Sequence, residues 1–219
     1  MRRALKYGIA GLLGMLLVTL LLLVALLGSE TGSRWVLNQV PGLSVEAYQG
    51  RLGGDWQAES LVWEQEGVRL ALLQPRLSWS PSCLLRGQLC IDELVSSQVD
   101  LHLAETSDEE TPSTEPTTLP ALDLPLTIRL GKVQVDRFNL DGSDLLQELE
   151  GRAEWQADGI HIEHVHARMD DLALSLQGTL QPDGKWPLQA QAVLSLPAPD
   201  TQPWQLNITV SGELQDQLQ

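Results

Sequence analysis

From Tyr7 to Ser29 the chain carries no charged side chain and is dominated by leucine. The twenty residues from Gly8 to Leu27 make a helix roughly 30 Å long, the hydrocarbon thickness of a bilayer. Whatever follows has to be read relative to a membrane. Arg2, Arg3 and Lys6 precede the span and Glu30 follows it, so the positive-inside bias leaves the N-terminus in the cytoplasm and sends the remainder across. The competing reading is a cleaved signal peptide, whose apolar core is shorter and ends at small residues spaced as A-x-A. Cuts after Gly28 or Ser29 would put Leu26 or Leu27 where a small residue is needed. The sequence favours an uncleaved, single-pass anchor.

Charge falls almost entirely on the far side of that anchor. The first 28 residues hold three of the 14 Lys and Arg and none of the 29 Asp and Glu, which leaves −18 on the exported part. Such a surface is repelled by nucleic acid and by anionic headgroups, so nucleic acid is excluded as a partner. Phe138 is the only phenylalanine, and seven tryptophans are spread from Trp35 to Trp204. That is a lean supply of core-fillers for a compact globule.

Residues 29–42 read as a short juxtamembrane helix, with Thr31 or Ser33 as cap, Trp35, Val36 and Val40 on one side, and Pro41-Gly42 as the stop. From Leu43 the hydrophobic period becomes two, the signature of half-buried strands. A first β-unit occupies 43–103, with turns at the glycines of 50–54 and at Glu66-Gly67. Pro75 lies inside the strand-like run Val68 to Trp79, which argues for an edge or a bulge. Cys83 and Cys90 enclose six residues. In an oxidising compartment that spacing points to a disulfide closing a short loop, with two buried thiols as the alternative and a metal pair less favoured.

Residues 104–121 form an acidic Pro/Thr-rich stretch with almost no apolar content, read as a solvated linker or loop. Alternation then returns in a second β-unit, 122–219. Leu126, Ile128 and Leu130 are followed by Val133 and Val135; Leu172, Leu174 and Leu176 share a face, as do Leu206, Ile208 and Val210. Asp141-Gly142, Asp158-Gly159 and Asp183-Gly184 supply hairpin-type turn signals. The chain stops straight after a strand-like run, so a longer protein is expected.

No constellation supports catalysis, and neither a cofactor nor a metal is expected. His161, His164 and His166 invite a metal reading, but strict alternation puts His164 and His166 on the face of Ile160 and Ile162 and His161 on the other. Bringing all three onto one ion would require a bulge. What remains is the alternation itself. Its apolar faces either pack shut as a β-sandwich, giving a membrane-tethered binding or structural module, or stay open as a greasy trough.

Four ordered motifs favour the trough. G-S-E-T-G-S-R-W-V-L-N-Q-V-P-G-L from Gly28 to Leu43, G-R-L-G-G-D-W from Gly50 to Trp56, W-E-Q-E-G-V from Trp63 to Val68 and C-L-L-R-G-Q-L-C-I-D-E-L from Cys83 to Leu94, behind a leucine-rich anchor, resemble the start of the TamB family. That family belongs to the translocation and assembly module of Gram-negative bacteria, and the likeness covers roughly residues 1–103. The resemblance implies an inner-membrane anchor with the bulk in the periplasm. It also implies a curved, open, antiparallel-type β-groove (a β-taco) with few helices, akin to AsmA-like and bridge-type lipid carriers. Two roles come with it: supporting assembly of autotransporters and other outer-membrane proteins, and moving phospholipid between the two membranes. The partners it implies are bilayer lipid, acyl chains in the groove, client outer-membrane proteins, and the outer-membrane barrel TamA, reached through a C-terminal region beyond these residues. On this reading Leu126, Ile128, Leu130, Leu172, Leu174, Leu176, Leu206, Ile208 and Val210 form the lipid- or client-contacting face.

Overall fold

The computed structural model describes residues 2–103, 126–183, 185–196 and 204–213. The acidic stretch 104–121 lies outside the described residues, as does Gly184 of one turn signal. The chain is mainly β, with two α-helices and one 3₁₀ turn in its described part.

Helix α1 (Arg2–Leu27) contains the apolar run, and α2 (Glu30–Leu37) follows after a two-residue break. The two meet at 92°. Among the residues whose placement is described in full, no single helix is long and apolar enough to cross a membrane; Gly14–Leu27 and Glu30–Leu37 pass that test only as a bent pair. The α2 cap is Ser29, whose hydroxyl accepts from the Gly32 N–H at 3.1 Å. It is neither Thr31 nor Ser33, because the Ser33 hydroxyl is already used elsewhere: it accepts from the Leu52 N–H at 2.9 Å.

Next come β1 (Leu43–Glu46), β2 (Gln49–Gly50), β3 (Trp56–Gln57), β4 (Ser60–Gln65), β5 (Val68–Leu73) and β6 (Arg76–Ser80). After the 3₁₀ turn Pro81–Arg86 follow β7 (Gln88–Ser96), β8 (Gln98–Leu103), β9 (Thr127–Val135), β10 (Phe138–Leu140), β11 (Ser143–Leu146) and β12 (Glu148–Gln156). Four long strands complete the described part: β13 (Gly159–Met169), β14 (Leu172–Leu180), β15 (Pro187–Leu196) and β16 (Trp204–Glu213).

One sheet has the order β1-β4-β5-β8-β10-β11, the other β2-β3-β6-β7-β9-β12-β13-β14-β15-β16. The first six positions of the two orders match in consecutive pairs: β1 with β2, β4 with β3, β5 with β6, β8 with β7, β10 with β9, β11 with β12. The two sheets are therefore one layer of six long strands, each broken once along a common crease. At the crease Ala47 and Gln74 take left-handed backbone (φ 50° for both), and Pro75 follows Gln74. The ladder continues across it, with Glu59 N bonded to Glu46 O at 3.0 Å, Ala58 N to Pro75 O at 3.0 Å and Ser97 N to Leu73 O at 3.0 Å. Pro75 thus marks a corner between β5 and β6, and Ile91 to Leu103 is two strands that part at Ser97.

Both sheets are mixed, which qualifies the antiparallel-type expectation. The pairs β7–β9 and β8–β10 are parallel. A parallel neighbour needs a connection long enough to return to the same edge, and residues 104–126 between β8 and β9 supply that length. Strands from both sides of the acidic stretch share both sheets. Glu66-Gly67 and Asp141-Gly142 form two-residue hairpin turns with positive φ at both positions, as the type I′ geometry demands.

Few side chains are fully enclosed. Among the described residues the buried apolar ones are Tyr48, Ala58, Cys83, Cys90 and Ala167. A sandwich of this size would bury whole rows of inward residues. Here Leu172, Leu174 and Leu176 are half-buried, while Leu206 and Ile208 are 52% and 39% exposed. Both sheets are open.

Candidate functional site

Residues opposite one another in a ladder share a face, so the register assembles the site directly. Trp79 faces Ile91, Ile91 faces Leu130, Leu130 faces Ala153 and Ala153 faces Ile162. A neighbouring row runs Leu89, Ile128, Trp155, Ile160, Leu180, Leu188. Another runs Ala167, Leu174, Leu194, Leu206, and beside it lie Val165, Leu176, Ala192 and Ile208. Gly178, Ala190 and Val210 form one more. Leu126 stands just ahead of β9. The shorter sheet repeats the pattern, with Leu43, Trp63, Leu70, Leu101 and Leu140 in register.

The result is an apolar floor whose rows run perpendicular to the strands. Leu126 aside, the register puts the other eight residues expected from alternation on one face of the sheet. Sequence reasoning passed over Trp79, Ile91, Trp155, Leu188 and Leu194, each of which belongs to the same rows. Their signal was present in the same alternation, but only the register says which runs lie side by side.

A column of bulges keeps the floor continuous. Ile91 and Leu94, Leu130 and Val133, and Ile162 and Val165 are each three apart, yet each pair lies on one face, because the extra residues Asp92/Glu93, Gly131/Lys132 and Glu163/His164 are absorbed as bulges. In β13 the bulge reverses the parity after Ile162. His164 and His166 therefore lie on the polar outer face with His161, which corrects the alternation argument. The bulge that a metal site required is present, but among the described residues no three metal-ligating side chains converge. His161 Nε2 sits 3.1 Å from Asp158 Oδ1, and His166 Nδ1 lies 3.2 Å from Ser175 Oγ. The His161 contact holds the Asp158 carboxyl below its usual range.

At the N-terminal end the helices close against the sheet. Ser33 is fully buried; its hydroxyl lies 3.4 Å from Leu27 O, to which it donates, while accepting from Leu52 N. Arg34 Nη2 donates to Tyr48 O at 2.7 Å and Gly53 N to Leu27 O at 2.8 Å. Tyr48 stacks on Trp56 with ring centroids 5.9 Å apart, and burial pushes its phenol above the ordinary value. Trp79 Nε1 donates to Leu52 O at 2.7 Å. Cys83 and Cys90 are disulfide-bonded with Cα atoms 5.9 Å apart, tying the 3₁₀ turn to β7.

Two open mixed sheets that share an apolar face, with a helical elbow packed against one end, define a mainly β protein with few helices. The chain belongs to the TamB family: residues 19–168 match the model for TamB, N-terminal domain. That match runs past the acidic stretch and into β13 as far as residue 168, well beyond the four motifs of the first 94 residues. Membership implies a role associated with the translocation and assembly module and an inner-membrane anchorage with which α1 is compatible. It places the chain among transport and assembly proteins and not among enzymes. No curated protein and no solved structure matches the chain.

Proposed function

We propose that this chain is the membrane-proximal start of a periplasmic groove that carries phospholipid acyl chains from the inner membrane towards the outer, held by α1 as a single-pass anchor with its N-terminus in the cytoplasm. The observation that carries this reading is the unroofed apolar floor. Each methylene taken from water gains about 0.8 kcal/mol, so a chain shifting along unbroken apolar rows never has to re-enter water. The same floor suits an unfolded outer-membrane client, and a strand edge left unpaired in the full groove would let such a client add by backbone pairing. Assembly of such clients, autotransporters among them, with TamA as the outer-membrane partner, is the second role. A tethered β-sandwich acting as a spacer would need a roof over Leu174.

The direct test is a photoreactive residue at Leu174, on the floor, compared with one at Gln177, on the polar face. Irradiation in native membranes should yield a phospholipid adduct at 174 and none at 177. Equal labelling of both, or protein adducts alone at 174, would remove the lipid role.

A further inference from the structure

Beside the anchor stands a feature that the groove does not use. The 3₁₀ turn Pro81–Arg86 carries Leu84 and Leu85 at its tip, 48% and 91% exposed. Buried Cys83 and Cys90 pin its base, and Gly87 closes it in left-handed backbone (φ 70°). So held, the two leucines do not fold back onto the sheet. Leu84 lines a cleft of about 910 Å³ together with Leu23, Val24 and Leu27. The tip therefore stands level with the last two turns of α1.

We propose that the Leu84–Leu85 tip is a second membrane contact, inserted into the leaflet from which α1 emerges. This rests on the anchor reading above. If α1 crosses the bilayer, its last two turns lie at the acyl–headgroup boundary, and Leu84 shares that depth. The bend of 92° lays α2 along the surface, where Trp35 is 56% exposed, and tryptophan favours that interface. Arg86 follows Leu85 at the tip itself, while the cleft behind Leu84 is lined by Arg51 together with Asp55 and Asp92, so the one basic side chain next to the leucines in sequence is Arg86. A protein partner would be served equally well by apolar residues anywhere on the domain. A leaflet requires them beside the anchor and at the depth of its last turns, which is where Leu84 stands with Leu23, Val24 and Leu27. Trp79 lines the same cleft and begins one row of the floor, so a seated tip brings the groove's first row to the bilayer surface.

The test uses the full chain in vesicles of phosphatidylethanolamine and phosphatidylglycerol, with a photoreactive residue at position 85, at Leu16 within α1, or at Thr209 on the polar face of β16. Lipid adduct at position 85 should approach that at 16 and exceed that at 209 severalfold. Labelling at 16 with only the Thr209 background at 85 overturns the tip contact and leaves the anchor standing. Absence of lipid adduct at 16 overturns both. Protein adducts at 85 in native membranes, without lipid adducts, would assign the tip to a protein partner instead.

Discussion

Placing a carboxylate on the floor separates a groove from a core. Ile208 lies in the row that contains Val165, Leu176 and Ala192, and it is 39% exposed. Full burial of such a side chain is worth about 1.5–3 kcal/mol, so Ile208→Glu should cost about 1–2 kcal/mol of apolar contact. Because the row is open to water, the new charge keeps much of its hydration and avoids the several kcal/mol that a sealed interior exacts. In a domain of this size that loss lowers Tm by roughly 2–8 °C. For an acyl chain lying over the row the effect is larger in proportion. Removing about three methylenes from apolar contact costs about 2.4 kcal/mol, or roughly 60-fold in occupancy. The assay pairs thermal unfolding with the yield of lipid cross-linked at Leu174. A folded variant with that yield sharply reduced is the expected result. Unfolding of the variant would mean that the floor is a core, and unchanged lipid yield would mean that cargo does not pass over it; either refutes the reasoning.

Other expectations concern the joints. Ser33→Ala strips the Leu52 N–H of its acceptor in a buried setting, costing about 1–3 kcal/mol, and should speed amide exchange across residues 49–54. Ser96 sits buried at the crease with Oγ 2.9 Å from Leu73 O and 2.8 Å from Gln98 O. Because Leu73 O keeps its bonds from Ser97, Ser96→Ala should cost only about 1 kcal/mol, read from the denaturation midpoint. Replacing Cys83 and Cys90 together by serine releases the turn and should cost about 2–3 kcal/mol by loop-closure entropy, with the exchange increase centred on residues 81–90. The Asp158 carboxyl should titrate below the ordinary aspartate range and return to it in His161→Gln, as followed by carboxyl-carbon NMR.

Local features of this fold are written locally. Glu66-Gly67 and Asp141-Gly142 take left-handed backbone at both positions, and a dipeptide ending in glycine announces that. Alternation in β14 and β16 reports which residues face one way, and the slip from Leu130 to Val133 is the bulge itself, visible as a change of phase. The corner at Ser97 was hidden, because a serine between two alternating runs looks like any outward-facing residue. So was the bulge at Glu163/His164, which has neither glycine nor proline to mark it, and which moves His164 and His166, but not His161, to the face opposite the one alternation gives them. The Ser29 cap was obscured by a tertiary contact, since Ser33 is spent on Leu52. Parallel pairing of β7 with β9 depends on register between strands some forty residues apart, for which no short motif exists.

The crease explains how one chain keeps an apolar face open without collapsing. Each strand is broken at the same ladder position while the backbone stays hydrogen-bonded across the corner. Neither sheet needs the other's side chains to satisfy its backbone polar groups, so nothing in the backbone requires the two to pack face to face. Among the described residues the strands from β13 onward run unbroken and belong to the longer sheet alone. At about 4.8 Å per strand the ten strands carry that floor over about 43 Å. An open apolar surface of this length would bind its own copies. The acidic excess of −18 carried by residues 29–219 opposes such association by mutual repulsion.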